Sequence, residues 1–468
     1  MQAPDIAIIV LFLAANIIFG LWQARSNRNT GDYFLGGQKL PWIVAMLSIV
    51  ATETSVLTFV SVPGLAYRGD WTFLQLPLGY IFGRLLVSIL LLPVYFKQGV
   101  TSIYEVIGTR FGTGMQKLAS VIFLVTRILG DGVRFLATGV VVQVVTGWSL
   151  PLSVMIIGIV TLVYTISGGL KTVVWLDSIQ FGLYLLGGFV TIIFILLHLE
   201  SGMPEILAAL AESGKLTMLD TGGNIFFNPM SFGSAFIGGI FLSFASHGID
   251  YMMVQRALGC GDLCSARKAL IGSGLFVFFQ FMIFLLAGSL IYLFMQEVPQ
   301  EKDREFANFI VNYLPSGLKG ILLAGILSAA MSTISSSINS LAASTVTDLL
   351  GGKASLGMSK IISAGWAVVL ICIALMFDES DNAIIMMGLE IASFTYGGLL
   401  GLFLLSRTKR NYHPASLAFG LLASMAIVFV LKLYGIAWTW YILIAVLINI
   451  LATLAADLLT IRIKSGKA

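Results

Sequence analysis

Apolar runs long enough to cross a bilayer recur along the whole chain, with short polar stretches between them. A membrane-spanning helix needs about 20 predominantly apolar residues. The runs that approach or exceed this length lie at 5–23, 40–66, 71–96, 117–146, 150–166, 172–198, 230–255, 269–295, 317–346, 361–377, 382–406, 414–433 and 438–461. The pattern predicts an all-α polytopic membrane protein with about 13 transmembrane helices.

Composition agrees with this prediction and excludes several classes of protein. Of the 468 residues, 58% are hydrophobic and 11% are charged, whereas soluble domains carry about 25% charged residues. The chain is therefore expected to contact the lipid bilayer and no nucleic acid. Two of the three cysteines, Cys260 and Cys264, lie close together, but no second Cys or His pair accompanies them to complete a metal site.

Basic residues predict how the chain sits in the membrane. On the map of apolar runs, 18 of the 27 Lys and Arg residues, Arg256 among them, fall in loops on one side of the bilayer, and six fall on the other. Lys and Arg accumulate in cytoplasmic loops. The bias predicts a multi-pass protein of the inner or plasma membrane, with its N-terminus outside and its C-terminus in the cytoplasm.

The run 321–346 differs from the others because hydroxyl residues occupy its centre. In a helix of 3.6 residues per turn, Ala329, Ser332 and Ser336 fall on one stripe with Thr333 beside it. Several oxygens can then converge on a small hard cation. The alternative is that the serines bond their own backbone or let a neighbouring helix approach closely.

Ionisable residues inside a membrane are costly and usually face a cavity or a partner. Asp131 lies four residues after Arg127 and three before Arg134, so an ion pair within that helix is expected, which leaves one arginine for another partner. The remaining ionisable residues within predicted spans are Glu53, Arg84, Asp177, His247, Asp250 and Glu390. Their spread over several helices favours a central pathway over a compact catalytic site.

Two predicted spans carry signals for a break near mid-membrane. Glu53 is followed by β-branched and hydroxyl residues and then by Pro63 and Gly64, and a later span contains His247, Gly248 and Asp250. A broken helix exposes carbonyls that can replace the hydration shell of an ion. The broken spans are five helices apart, which indicates two inverted five-helix repeats with the binding site at their shared midplane.

Several stretches resemble the solute:sodium symporter family, which has a leucine-transporter-type fold. The stretches are DYFLGGQKLPW (32–42), GVTSIYEVIGTRFG (99–112), SGGLKTVVWLDSIQ (167–180), VQRALG (254–259), SAAMSTISSSINS (328–340) and IASFTYGGLLGLFLL (391–405). The resemblance implies a leading helix and cytoplasmic loop at 1–39, five-helix repeats at 40–198 and 230–406, an external loop at 199–229, and two trailing helices with a short tail at 407–468.

The resemblance also implies where sodium binds. The family's main site would use carbonyls of Ala51, Thr54 and Ala329 with the side chains of Ser332 and Thr333. Some members hold a second sodium ion, and the matching residues for this site are Asp177, Ser332, Ser335 and Ser336. Neutral oxygens hold sodium weakly enough to release it, and a cation beside Asp177 would offset the cost of a carboxylate in the membrane.

The substrate follows from a closer resemblance to bacterial sialic acid and organic anion symporters. Sugar carriers of this family use a glutamine where this chain has Thr58. The residues that match the anion carriers are Ser55, Thr58, Gln75 and Arg127, and a guanidinium can bind a carboxylate with two hydrogen bonds. Tyr251 is the candidate for an inner gate.

The sequence therefore predicts a sodium-coupled symporter, not an enzyme, that works as a monomer. It would import a small organic solute, a carboxylate such as sialic acid, by alternating access. The alternatives are a sugar or other neutral solute, a membrane sensor, and a proton-coupled carrier that uses Glu53, Asp177 or Glu390 as a relay.

Overall fold

The computed structural model describes residues 2–24, 28–54, 56–295, 304–376 and 384–465, without the side chains of Leu57, Val145, 384–391 and 460–465. Ser55 and the side chain of Glu390 lie outside the described residues. The α-helices in the described part of the chain are α1 (Ala3–Gln23), α2 (Thr30–Leu35), α3 (Trp42–Glu53), α4 (Val56–Arg68), α5 (Gln75–Leu90), α6 (Leu92–Gln98), α7 (Tyr104–Phe111), α8 (Thr113–Thr146), α9 (Leu150–His198), α10 (Met203–Glu212), α11 (Phe232–Gly248), α12 (Tyr251–Leu258), α13 (Leu263–Met295), α14 (Glu305–Tyr313), α15 (Leu318–Ser344), α16 (Leu356–Ala374), α17 (Ile384–Ser406), α18 (Pro414–Leu433) and α19 (Tyr441–Ser465).

The all-α class is confirmed, but the number of spans is not. Eight of the described helices are long and apolar enough to cross a membrane, and the number rises to ten if each of two bent pairs forms one span. The spans predicted at 150–166 and 172–198 both lie in α9, which joins two helical segments across a kink. It changes direction at Gly169, whose φ of 62° is one that glycine adopts readily.

Both predicted breaks are present. Helix α3 ends at Glu53 and α4 leaves at an angle of 59°, and α11 ends at Gly248 before α12 leaves at 62°. Asp250 lies in the second break, where its carboxylate accepts a hydrogen bond from the backbone N–H of Met252 and caps α12. Each break leaves backbone groups without their usual partners at the end of a helix.

Helix α15 occupies the middle of the bundle, and every residue from Leu322 to Ser344 is buried. Its most extensive contact is with α9, where the Tyr164 hydroxyl donates to the carbonyl of Met331 at 3.0 Å. Helices α5 and α11 also touch along much of their length because Gly79 and Gly83 place no side chain between them. A Cβ at Gly79 would lie 2.3 Å from the carbonyl oxygen of Phe236.

Candidate functional site

Four of the five residues predicted for the main sodium site meet at the break of the first bent span. A narrow gap between α3, α9 and α15 is lined by Ala51, Thr54, Gln180, Phe181, Tyr184, Ser328, Ala329 and Ser332. The last turn of a helix leaves carbonyls without intrahelical partners, and Ala51 belongs to the last turn of α3. The fold therefore brings backbone and hydroxyl oxygens to one small space.

Two hydroxyls of α15 behave differently at this gap. Thr333 Oγ1 donates to the carbonyl of Ala329 at 3.2 Å. Ser332 Oγ is buried and forms no hydrogen bond among the described residues. A buried hydroxyl without a partner costs free energy, so Ser332 Oγ is available to a ligand of this gap.

Asp177, in α9, is not isolated. Its Oδ2 accepts hydrogen bonds from Ser48 at 2.6 Å and from Arg256 at 3.2 Å, and the arginine pair is fully buried. The guanidinium also donates to Ser48, to the carbonyl of Met252 and to Ser336. Asp177 thus already has a permanent cation beside it, before any sodium ion is considered.

The assignment of Arg256 to a cytoplasmic loop is wrong. Arg256 is 0% exposed and lies in α12, the second half of the broken span. The apolar run that predicted this span ends one residue earlier. Hydropathy therefore placed Arg256 outside the predicted span. In the structure Arg256 is buried, and Asp177 offsets the cost of burying its charge.

Several side chains of the second predicted sodium site already have hydrogen-bond partners. Ser336 contacts Asp177, Thr52 and Arg256, and Ser335 donates to the carbonyl of Ser332. The side chains of Asp177 and Ser332 interact, yet neither Asp177 Oδ1 nor Ser332 Oγ meets the distance and angle of a hydrogen bond with a described residue. These two oxygens are the part of the set that a second cation could use.

A second buried network surrounds Arg127. The predicted ion pair within α8 is confirmed, since Arg127 Nη2 lies 2.5 Å from Asp131 Oδ1. Arg127 Nη1 lies 3.0 Å from Asp250 Oδ2. The Ser337 hydroxyl donates to Asp131, and that of Tyr396 donates to Asp250. Two carboxylates therefore hold the guanidinium that was predicted to bind the solute.

A third group of charges lies at the break between α3 and α4. Glu53 forms an ion pair with Arg84, and the Nε2 of His247 lies 3.6 Å from Glu53 Oε2. Arg84 also donates to the hydroxyls of Ser243 and Ser273. Three helices thus converge on the carboxylate at the end of α3.

The predicted solute-binding residues do not all meet. Thr58 is buried beside Tyr184, next to the proposed sodium gap. Gln75 instead holds the loop before α11, because it donates to the carbonyls of Thr72 and Met230 and accepts from the N–H of Asp220. The structure does not bring Gln75 to the network of Arg127.

Tyr251 is fully buried at the start of α12, and its hydroxyl donates to the carbonyl of Thr101 at 2.9 Å. Tyr104 and Tyr95 donate to the carbonyls of Ile249 and Gly248 in the same break. Hydrogen bonds of three tyrosine hydroxyls therefore connect the second broken span to α6, to α7 and to the segment between these two helices. Near the predicted outer face, Arg68 at the end of α4 forms an ion pair with Glu305 of α14.

Sequence reasoning missed the partners that decide the state of these charges. Ser48, Thr52 and Ser337 read as ordinary hydroxyls of membrane helices, and Tyr396 reads as a core aromatic residue. For Arg256 a signal was present, because it belongs to the VQRALG stretch that the resemblance picked out. Among the described residues, no group of three or more His, Cys, Asp or Glu side chains could hold a metal ion.

Known proteins resemble this chain in both sequence and fold. The sodium/sialic acid symporter SiaT of Proteus mirabilis is 28% identical over 92% of this chain and 89% of its own length. The mouse sodium-coupled monocarboxylate transporter 1 is 29% identical over 90% of this chain and 71% of its own. The solved structure of a Na⁺-coupled sialic acid symporter in an outward-open state superimposes with a TM-score of 0.89 at 24% identity, covering 98% of both chains.

The sequence profile of the sodium:solute symporter family matches residues 33–410. The match includes both broken spans, α15 and every residue of the predicted sodium and solute sites. Members of this family are transporters and not enzymes, and the broken spans and buried hydroxyls of this chain agree with that role. The chain belongs to the sodium:solute symporter family and is a multi-pass membrane transporter with Na⁺ as its coupling ion.

Proposed function

We propose that this protein carries a small organic acid across the membrane together with sodium, which binds in the gap between the end of α3 and α15. The ligands would be the carbonyls of Ala51, Thr54 and Ala329 with the side chains of Ser332 and Thr333. The observation that carries this proposal is the unpartnered Ser332 Oγ in a gap that four of these five residues line. A hard cation with oxygen ligands satisfies that hydroxyl.

A second sodium ion would bind beside the first. It would use Asp177 Oδ1 and Ser332 Oγ, with Ser335 and Ser336 turned from their present partners. The salt bridge to Arg256 engages only the other oxygen of the carboxylate, so a cation does not have to displace the arginine.

The choice of an acid rests on charge balance near the breaks. Arg84, Arg127 and Arg134 are matched by Glu53, Asp131 and Asp250, so this group is neutral. An entering carboxylate adds one negative charge, and sodium restores neutrality. At an assumed separation of about 8 Å and an effective dielectric constant of about 20, the attraction is about 2 kcal/mol, which is about thirtyfold in affinity.

Relatives named for sialic acid and monocarboxylates support an organic anion as the solute. Thr58, Ser55 and Arg127 stay in the proposed solute site, and sialic acid is the first solute to test. Arg127 can bind a solute carboxylate only if it releases Asp131 or Asp250. Gln75 would act through the external loop that it holds.

The experiment is uptake of radiolabelled sialic acid into liposomes that contain the purified protein, with an inward gradient of sodium or of choline. Uptake should require sodium. Uptake that is equal in the two gradients contradicts the proposal, and uptake of a sugar in place of the acid contradicts the choice of solute.

Matched serine variants of α15 test the sodium site. Ser332→Ala should abolish the stabilisation of the detergent-solubilised protein by sodium, since a ligand that binds the folded state raises its melting temperature. Ser340→Ala is the control, because Ser340 is equally buried but its hydroxyl donates to the carbonyl of Ser337. Equal sodium responses of the two variants would remove Ser332 from the site.

The remaining features of the proposal follow the distribution of charge and the breaks. Residues 40–198 and 230–406 would form the two inverted repeats that rock about the site, flanked by 1–39, 199–229 and 407–468. The N-terminus would lie outside and the C-terminus in the cytoplasm, in the inner or plasma membrane, and one chain would suffice for transport. Tyr251 would release the carbonyl of Thr101 when the inner side opens.

A further inference from the structure

A cleft of about 400 Å³ lies at one end of the bundle, between α6, α7 and the end of α17. Two valines form the apolar part of its wall, and the polar lining residues are Gln98, Thr109, Arg110, Ser406 and Arg407. Two apolar helices end at this cleft, one at Gln98 and the other at Ser406. The cleft is therefore at the level where spans end and lipid headgroups begin, on the side that is predicted to be cytoplasmic.

Two arginines line this cleft, and no carboxylate of a described residue does. Arg110 donates to the side-chain oxygen of Asn411 at 3.1 Å and to two carbonyls of the segment that follows α17, both at 2.9 Å. Arg407 donates to the carbonyl of Leu90. All of these acceptors are neutral. Among the described residues, both guanidinium groups therefore lack an ionic partner.

Other arginines of the chain are neutralised. Arg410 follows closely after this pair in the sequence, and it forms an ion pair with Asp457 at 2.8 Å. The buried side chains of Arg84, Arg127 and Arg256 each contact a carboxylate as well. A carbonyl satisfies an N–H donor but carries no net charge. Two positive charges without compensation at one cleft attract an anion.

The cleft also has hydrogen-bond donors left for a ligand. A guanidinium has five N–H groups, and the neutral acceptors engage three of them in Arg110 and one in Arg407. Gln98 Oε1 accepts from the Thr109 hydroxyl at 3.4 Å, and no described residue accepts from the NH₂ group of Gln98. Donors of three side chains can therefore bind the oxygens of one anion.

The two arginines are already held in place. Arg110 connects α7 to the segment after α17, and Arg407 connects the end of α17 to the last residue of α5. A ligand that binds ordered side chains loses less conformational entropy than one that must order them. The cleft is therefore a formed site and not a pair of mobile surface charges.

We propose that this cleft binds a phosphate group, with Arg110 and Arg407 as its charged ligands and Gln98 as a further donor. A guanidinium donates paired hydrogen bonds to phosphate oxygens, and the phosphate offsets its charge. The phosphate belongs to an anionic lipid or is free in the aqueous phase. The position at the ends of spans favours the lipid, because basic pockets between membrane helices bind anionic headgroups on the cytoplasmic side.

The test measures binding to the purified, delipidated protein in detergent. Its melting temperature is followed as dioleoylphosphatidylglycerol or dioleoylphosphatidylcholine is added to the micelles. In a separate series, inorganic phosphate replaces chloride at constant sodium concentration and ionic strength. Phosphatidylglycerol should raise the melting temperature more than phosphatidylcholine at equal mole fraction, since a ligand of the folded state stabilises it. High salt should reduce this difference.

Matched variants assign the response to the cleft. Arg407→Gln should raise the mole fraction of phosphatidylglycerol needed for half of the response about tenfold or more, because charge-assisted hydrogen bonds are lost, and Arg110→Gln should act in the same direction. Arg267→Gln is the control. Arg267 donates to the carbonyl of Ser88, near the end of α5, at 3.0 Å, but it is not among the described residues that line the cleft. Each variant removes one positive charge, so non-specific attraction falls equally in all three.

The outcomes separate the two sources of phosphate from failure. A preference for phosphatidylglycerol that Arg407→Gln loses and Arg267→Gln keeps supports the site and assigns it to a lipid. A response to inorganic phosphate with the same pattern supports the site and assigns it to free phosphate. The proposal is overturned if the parent protein responds to neither probe, which requires no variant to fold. An unchanged response in Arg407→Gln, or an equal loss in Arg407→Gln and Arg267→Gln, also overturns it.

Discussion

Replacing Arg256 by glutamine should reveal the free-energy cost of burying the charged Asp177 carboxylate at the centre of the bundle. Both members of the Asp177–Arg256 pair are 0% exposed. Removing one member of a buried ion pair costs about 3–5 kcal/mol, because the other charge stays buried without compensation. Ser48 and Thr52 still donate to Asp177 in the variant, which places the expected loss near the lower end of this range.

The expected change in melting temperature follows from the size of the chain. An unfolding entropy of about 2.1 cal/mol/K per residue gives about 1 kcal/mol/K for 468 residues. A loss of about 3 kcal/mol then lowers the melting temperature by about 3 °C. This is a lower bound, since membrane helices persist in detergent and reduce the entropy that unfolding releases.

The assay is thermal unfolding of the purified variants in choline and in sodium. Arg256→Gln should be destabilised in choline and should gain more from sodium than the parent, because sodium can then compensate Asp177. The double variant Asp177→Asn with Arg256→Gln should recover most of the loss, since neither charge remains. Arg256→Gln with parental stability in choline, or a double variant less stable than both single ones, would refute the reasoning.

Three further predictions concern packing, gating and pH. Gly79→Ala should lower stability strongly because its Cβ meets the backbone of α11 at 2.3 Å, whereas Gly130→Ala, with nothing within 4 Å, should not; melting temperatures compare them. Tyr251→Phe should shift the population towards the inward-open state by about fivefold, the worth of a hydrogen bond of about 1 kcal/mol, as measured by labelling of a cysteine placed at Thr101. Burial lowers the pKa of Lys215 below its ordinary 10.5 in the loop after α10, where it lies beside Tyr67 and Tyr292. Stability should therefore rise as pH increases from the lowered pKa to 10.5, because the unfolded state then binds more protons, and Lys215→Gln should remove that rise.

Hydropathy and helix-breaking residues were sufficient to predict the class of fold and the two breaks in the spans. Long apolar runs predict membrane helices because lipid cannot hydrogen-bond a bare backbone, and this constraint acts on each span separately. The same local character explains the error at Arg256. A charged residue next to an apolar run reads as a loop, and the partner that permits its burial is 79 positions away in the chain.

The hydroxyls of α15 show a similar division. Their positions on one stripe of the helix follow from its period. What each hydroxyl bonds to does not, since Ser336 donates to Asp177, Ser337 donates to Asp131, and Ser332 Oγ has no hydrogen-bond partner among the described residues. Consecutive residues of one helix face different neighbours, and only the arrangement of those neighbours separates a packing hydroxyl from a possible ligand.

By itself, the sequence determined an all-helical membrane transporter with two interrupted spans, a serine-rich central helix and a set of intramembrane charges. The tertiary structure decided how those charges pair: Arg127 with two carboxylates, Asp177 with Arg256, and Glu53 with Arg84. The physical reason is that apolar length and helical period are properties of one segment. Charge compensation in a medium of low dielectric constant depends on distances between segments that lie far apart in the chain.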